Sequence, residues 1–223
     1  MIRAGGARSR APPSRPIAMP SLDRSGLAWC VIDDTAVFLD LAKDRYFRLP
    51  DPENTRFIAE EAAGITDRPH QPPAFPLPHG WTPAARRCPA IDEGPFRLAD
   101  VARSIWVQRR VERRLAARSL EEVLRDLRDS VSSRSFTAST GSHRVRADIR
   151  AFQQARLLRT AADRCLSRSI ALALCLARHH CRANVILGVK LAPFAAHCWA
   201  QHGDVVLNDE LEEVRRYQPI LVL

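Results

Sequence analysis

The chain has 223 residues, 46% of them apolar, with 34 Lys and Arg against 25 Asp and Glu and a formal net charge of +9. That length supports one large domain or two small ones around a packed core. No apolar run approaches the roughly 20 residues of a membrane helix, and the scattered arginines with few aromatics between them argue against a nucleic-acid surface.

Lysine occurs only at Lys43 and Lys190, so the basic charge is almost all arginine, as a GC-rich genome would produce. The six cysteines, with no secretory signal, read as free thiols in a reducing, cytoplasmic setting. Residues 1–26 form an Arg-, Pro- and Ser-rich tail. Pro12, Pro13 and Pro16 oppose the amphipathic helix of a transit peptide. The tail reads as disordered, or as an early start with Met19 as the initiator.

Residues 27–49 predict three short antiparallel strands, LAWCVI, TAVFLDL and RYFRL, separated by the turns Asp33-Asp34 and Ala42-Lys43-Asp44. So small a meander needs a helix on one face. Asp51 to Ala63 supplies it, with Pro52 in the first turn, Phe57, Ile58 and Ala62 at helical spacing, and Gly64 as the stop. Residues 65–97 carry many prolines and read as a linker closing a 27–97 domain, with one short helix around Pro83 to Arg87. A second domain, 98–223, opens with a helix through Val101, Ile105, Val111 and Leu115. The next helix enters through a capping box, Ser119 with Glu122. A polar loop over 130–143 leads to a helix from Val145 to Ala162. The fold class is α+β.

The last third holds the chemistry. AADRCLSRSIALALCLARHH puts Cys165 at a helix start, where free backbone N–H groups and the helix dipole favour a thiolate, with Arg164 and Arg168 adding positive charge. Ala183 to Val189 predicts a core strand, and PFAAHCWAQHGDVVLND a strand, a turn and a strand. With the turn centred on Gly203, His197 and Asp209 are equidistant from it and face each other. A one-residue slip offers Asn208 to His197 instead. A sulfur, a base and a carboxylate in this order suit a thiol nucleophile acting on an acyl group. Trp199 reads as core or as a wall beside the imidazole. Cys175, His179, His180 and Cys181 lack the spacing of a zinc site and read as a core thiol and a basic helix end. No glycine-rich phosphate loop is present, so no intrinsic cofactor is expected.

On these residues the chain resembles the B proteins of lasso peptide biosynthesis, leader peptidases that join a transglutaminase-like cysteine protease to a recognition element for ribosomal precursor peptides. The resemblance lies in Cys165-Leu166-x-Arg168-Ser169, in Pro193-Phe194-x-Ala196-His197-x-Trp199, and in VFLDLAKDRYFRLP near the N-terminus. It implies a small winged-helix-like N-terminal element followed by a transglutaminase-like, papain-like domain. The family's catalytic cysteine, histidine and aspartate then fall on Cys165, His197 and Asp209. The resemblance also implies a leader peptide docking as an added strand along Arg45, Tyr46, Phe47 and Arg48. It implies a partner cyclase of the asparagine-synthetase-like kind, through which any ATP dependence would enter. The same three groups suit an acyl transferase, since only the acceptor differs, and a silent peptide-binding scaffold remains the reading from another class.

Overall fold

The computed structural model describes residues 26–63, 75, 80–88, 94–132, 134–137, 140–159 and 164–223. The tail before residue 26 and most of the proline-rich stretch lie outside the described residues.

The first three strands are β1 (Leu27–Ile32), β2 (Thr35–Asp40) and β3 (Arg45–Arg48), antiparallel in the order β1-β2-β3. Asp33 and Asp34 both take positive φ, at 45° and 58°, which matches the right-handed twist of a two-residue hairpin. Helix α1 (Asp51–Ala63) follows. Its Asn54 fastens that hairpin: Oδ1 accepts the Ala36 N–H at 2.8 Å and Nδ2 donates to the Asp34 carbonyl at 2.7 Å.

Strand alternation divides this sheet between two bodies. Leu27, Trp29, Ala36, Phe38 and Phe47 point to α1, where the Phe38 ring stacks on Phe47 at 5.1 Å and meets Phe57 edge-on at 4.9 Å. Ala28, Cys30, Val37, Leu39 and Tyr46 point the other way and join the main core of the molecule. The sheet therefore lies between its own helix and the second domain. β3 has a strand on one side only, and its other edge is unpaired among the described residues.

The main core is built by α2 (Leu98–Ala117), α3 (Leu120–Ser132), α4 (His143–Leu158) and α5 (Cys165–Arg178) with a second sheet. α5 is buried along nearly its whole length, as an all-round apolar helix must be, and packs against α2, α3, α4 and that sheet. The α3 capping box is formed in both directions, Glu122 N–H to Ser119 Oγ at 3.3 Å and Ser119 N–H to Glu122 Oε2 at 3.2 Å. α4 ends at Leu158; residues 160–162, which the periodicity places in the same helix, lie outside the described residues.

The second sheet has the order β4-β7-β6-β5-β8, from β4 (Arg86–Arg87), β5 (Asn184–Leu191), β6 (Phe194–His202), β7 (Val205–Val206) and β8 (Gln218–Val222). Its central hairpin, β5–β6, aligns Gly188 with His197. The expected helix at Pro83–Arg87 is instead β4, which pairs in parallel with β7. Arg86 is clamped there by Asp204, with Nε to Oδ2 at 2.9 Å, and its backbone N–H reaches the Asp204 carbonyl. A pairing to a partner more than a hundred residues away overrides the weak local signal. Residues 211–223, too short in pattern to place beforehand, give α6 (Leu211–Val214) and β8. The latter lies against β1 and closes the seam between the two sheets.

Candidate active site

Three elements converge on one point. α5 begins at Cys165, the middle of β6 carries His197, and the chain leaving β7 carries Asp209. His197 Nε2 lies 2.9 Å from Asp209 Oδ2, with side chains only 16% and 9% exposed. Cys165, at the start of α5, is near enough to the same imidazole for His197 to favour its thiolate. Asp209 is held from two further sides: Oδ1 accepts the Glu210 N–H at 2.9 Å, and Arg156 Nη1 stands 3.7 Å away.

The ionisation of these groups follows from the contest between burial and charge. Burial works against a thiolate at Cys165. The hydrogen bond and charge of His197, with the backbone amides of Cys198 and Leu166, outweigh it and bring the thiol below its ordinary value. Burial likewise opposes a charged His197, but Asp209 and Cys165 raise it to about 9. Burial opposes the Asp209 carboxylate too, and His197, the Glu210 amide and Arg156 hold it below the usual carboxylate range. The three groups therefore favour a thiolate–imidazolium pair over a carboxylate. Four other thiols differ in kind: burial pushes Cys30 up to about 12, Cys175 and Cys181 to about 11, and Cys198 far up.

Asp209 is opposite His197 for a reason other than the register the sequence suggests. The β6–β7 turn is two residues long, with Gln201 opposite Val206 and His202 opposite Val205. Continued at that register, the hairpin would set Glu210 against His197. The ladder stops at Val206 instead, and only Leu207 N–H still reaches the Ala200 carbonyl, at 2.9 Å. Asn208 does not face His197: its Oδ1 takes the Ala200 N–H at 2.8 Å, and its Nδ2 donates to Ser169 Oγ.

The imidazole has aromatic walls. Trp199 stacks with it at 6.2 Å between centroids, and Tyr217 lies tilted at 5.1 Å. Tyr217 is fixed by a hydrogen bond from its hydroxyl to Glu213 at 3.1 Å and by Lys190 Nζ 4.9 Å from the ring centre. Gly188 makes room for both walls. A Cβ there would stand 2.8 Å from the Trp199 ring and 2.9 Å from Tyr217 Cβ. Tyr217, Gly188 and Arg156 escape a sequence reading. Nothing marks one strand glycine, one tyrosine near the end, or one arginine among many.

Of the four candidate leader-binding residues, only Arg45 and Arg48 are exposed. Phe47 is turned onto Phe38. Tyr46 is turned inward, its ring edge-on to Phe194 at 5.7 Å, in the same apolar cluster as Cys165. Burial, with Cys198 and Cys165 near it, pushes the Tyr46 phenol beyond its usual value. What β3 offers to solvent is thus its backbone edge and two arginines.

The cluster at the end of α5 disperses. Cys175 is buried in the core, His179 Nε2 pairs with Asp148 at 3.2 Å, and His180 Nδ1 meets the Ser135 carbonyl at 3.0 Å. Among the described residues no group of three or more His, Cys, Asp or Glu side chains is placed to hold a metal ion. No helix among them is long and apolar enough to cross a membrane.

A sequence model described as the transglutaminase-like superfamily matches residues 95–222, more than half of the chain, and includes Cys165, His197 and Asp209. Comparison with curated proteins finds no match, and comparison with solved structures finds none.

Proposed function

The chain belongs to the transglutaminase-like superfamily, a family consistent with cysteine protease or acyl-transfer activity, and on that premise we propose that it is a cysteine peptidase that removes the leader from a ribosomally made precursor in lasso peptide maturation. The observation that carries the peptidase reading is the buried His197–Asp209 hydrogen bond, beside a Cys165 thiol that His197 helps hold below its ordinary value.

The steps follow from the charges. The Cys165 thiolate adds to the scissile carbonyl carbon. Amides near the sulfur, including those of Leu166 and Cys198, favour negative charge there and on the developing oxyanion. The tetrahedral adduct collapses, the C–N bond breaks, and the imidazolium gives its proton to the departing amine. This leaves a thioester and a neutral His197. The imidazole then takes a proton from water, which attacks the thioester and frees the carboxylate while the sulfur leaves as thiolate. Asp209 holds the ring and its charge throughout.

The substrate class rests on the motifs around Cys165 and His197 and on the open edge of β3. A leader adding as a strand to that edge gains backbone hydrogen bonds with Arg45 and Arg48 flanking it. Tyr46, on the same strand, meets Phe194 of β6, the strand that carries His197, which links the docking strand to the site. A partner cyclase receives the freed amine, and any need for ATP enters through it.

The test is mass spectrometry of a precursor peptide encoded beside this gene, incubated with the protein, with and without cyclase and ATP, next to Cys165→Ala. Two fragments from one bond, absent with Cys165→Ala, are expected, with a rate difference of about 10⁴-fold or more. A cross-linked mass in place of two fragments would make it an acyl transferase. Binding with an intact precursor under every condition would make it a scaffold.

A further inference from the structure

We propose that Asn208 and Ser169 form a buried strut whose task is to position the reacting groups, a role that rests on the thiol-peptidase reading above. Asn208 is 2% exposed and Ser169 is fully buried. Asn208 Oδ1 accepts the Ala200 N–H at 2.8 Å; its Nδ2 donates to Ser169 Oγ at 2.9 Å; the Ser169 hydroxyl donates to the Cys198 carbonyl at 3.1 Å. Each anchor lies next to a reacting side chain. Ser169 is one helical turn beyond Cys165, on the same face of α5. Cys198 follows His197, and Asn208 precedes Asp209. Three chain segments that share no local sequence are therefore tied together beside the three groups they carry.

The strut does what apolar packing cannot. Apolar contacts hold elements together but let them slide by fractions of an ångström, whereas hydrogen bonds in a dry interior fix direction as well as distance. Two consequences follow from the connections. Asn208 supplies a side-chain acceptor to Ala200 where the ladder has ended, and so sets where Asp209 emerges over His197. Ser169 fixes the carbonyl of Cys198, the residue whose amide also faces the Cys165 sulfur. Displacing the strut shifts the carboxylate and a thiolate-stabilising amide together. Every polar group in the chain of bonds has a partner, so removing one leaves another buried and unpaired.

Asn208 and Ser169 touch none of the reacting atoms. They are positioning residues, and the test must separate positioning from general stability. The reading is the rate of Cys165 alkylation by iodoacetamide against pH, assigned by peptide mapping, with melting temperature measured alongside. Wild type should react below the pH of an ordinary thiol. Ser169→Ala should lose about tenfold or more of that rate on the acid side of the profile, in line with the cost of small misalignments. Ser169→Thr, which keeps the hydroxyl, should retain most of it. Ser104→Ala removes an equally buried hydroxyl bond, to the Val101 carbonyl of α2. It should lower the melting temperature comparably and leave the profile unchanged. If Ser169→Ala does not accumulate folded, Asn208→Leu, of similar size and uncharged, removes both strut bonds and is read in the same way. A strut-breaking variant with the wild-type profile, whatever its melting temperature, overturns the proposal alone. A wild-type Cys165 that reacts only as an ordinary thiol overturns the peptidase reading and the strut together.

Discussion

Both sheets of this molecule pack apolar faces on the main core, and they differ in the polar bonds laid over that packing. The N-terminal sheet is fastened through its side chains by apolar contacts on both faces, rings against α1 on one side and aliphatic groups against the main core on the other. Around β6, in the second sheet, a buried network of polar bonds runs through His197, Asp209, Asn208 and Ser169. Apolar packing tolerates exchange of one shape for a similar one, whereas a buried polar network fails when any partner is lost. Substitutions in the first sheet should therefore cost stability, and substitutions around β6 should cost chemistry.

The sharpest contrast comes from Asp209→Asn. Cleavage should fall by about 10²-fold or more, further than the accompanying loss of melting temperature accounts for. The pH dependence carries the sign. His197 stands at about 9 in the fold, above its ordinary 6.5. Its charge therefore contributes stability that is fully present below pH 6.5 and is lost as pH rises through about 9. The alkaline limb of activity should lie near there, where the imidazolium proton is lost. Without Asp209 that limb should move toward neutral pH, and a limb that stays in place would remove Asp209 from the ionisation scheme. Phe38→Ala is the counterpart in the N-terminal sheet. It empties a fully buried site between Phe47 and Phe57 and should cost about 3–5 kcal/mol in urea unfolding. The reactivity of Cys165 in the molecules that remain folded should be unchanged. Loss of Cys165 reactivity in step with stability would erase the contrast. Gly188→Ala tests the boundary between the two behaviours. The added Cβ must displace Trp199 or Tyr217, an overpacking cost of about 1–3 kcal/mol. Since both rings flank His197, kcat should fall further than stability alone accounts for.

How much of this was legible depended on the range of each interaction. Alternation in LAWCVI and TAVFLD names the strands of the first sheet, and the Ser119–Glu122 pair names a helix start, because both are written within a few residues. Alternation does not say which body covers which face, so the inward turn of Tyr46 was hidden. Pro83 to Arg87 reads as a helix because the partner that makes β4 a strand, β7, is remote in sequence. At the site, the residue types and their order single out Cys165, His197 and Asp209. Opposition of His197 and Asp209 about Gly203 nonetheless requires a one-residue turn centre and an unbroken ladder. The ladder breaks after Val206, and the asparagine that the sequence offers as a substitute for Asp209 is the group that turns the chain. Short-range patterns disclose which groups are present, and the polar bonds between distant segments decide how they meet.

The seam between β1 and β8 has a kinetic consequence. The first sheet can form early, since its strands are joined by tight turns and α1 lies next in the chain. Its second face, however, meets a strand nearly two hundred residues further along. Contacts of such separation form slowly, because the closure entropy of the long loop precedes the reward. During that delay Ala28, Val37, Leu39 and Tyr46 stand uncovered beside an open strand edge. The surface that later joins the two halves is, while the chain is still folding, the one most open to association with another chain.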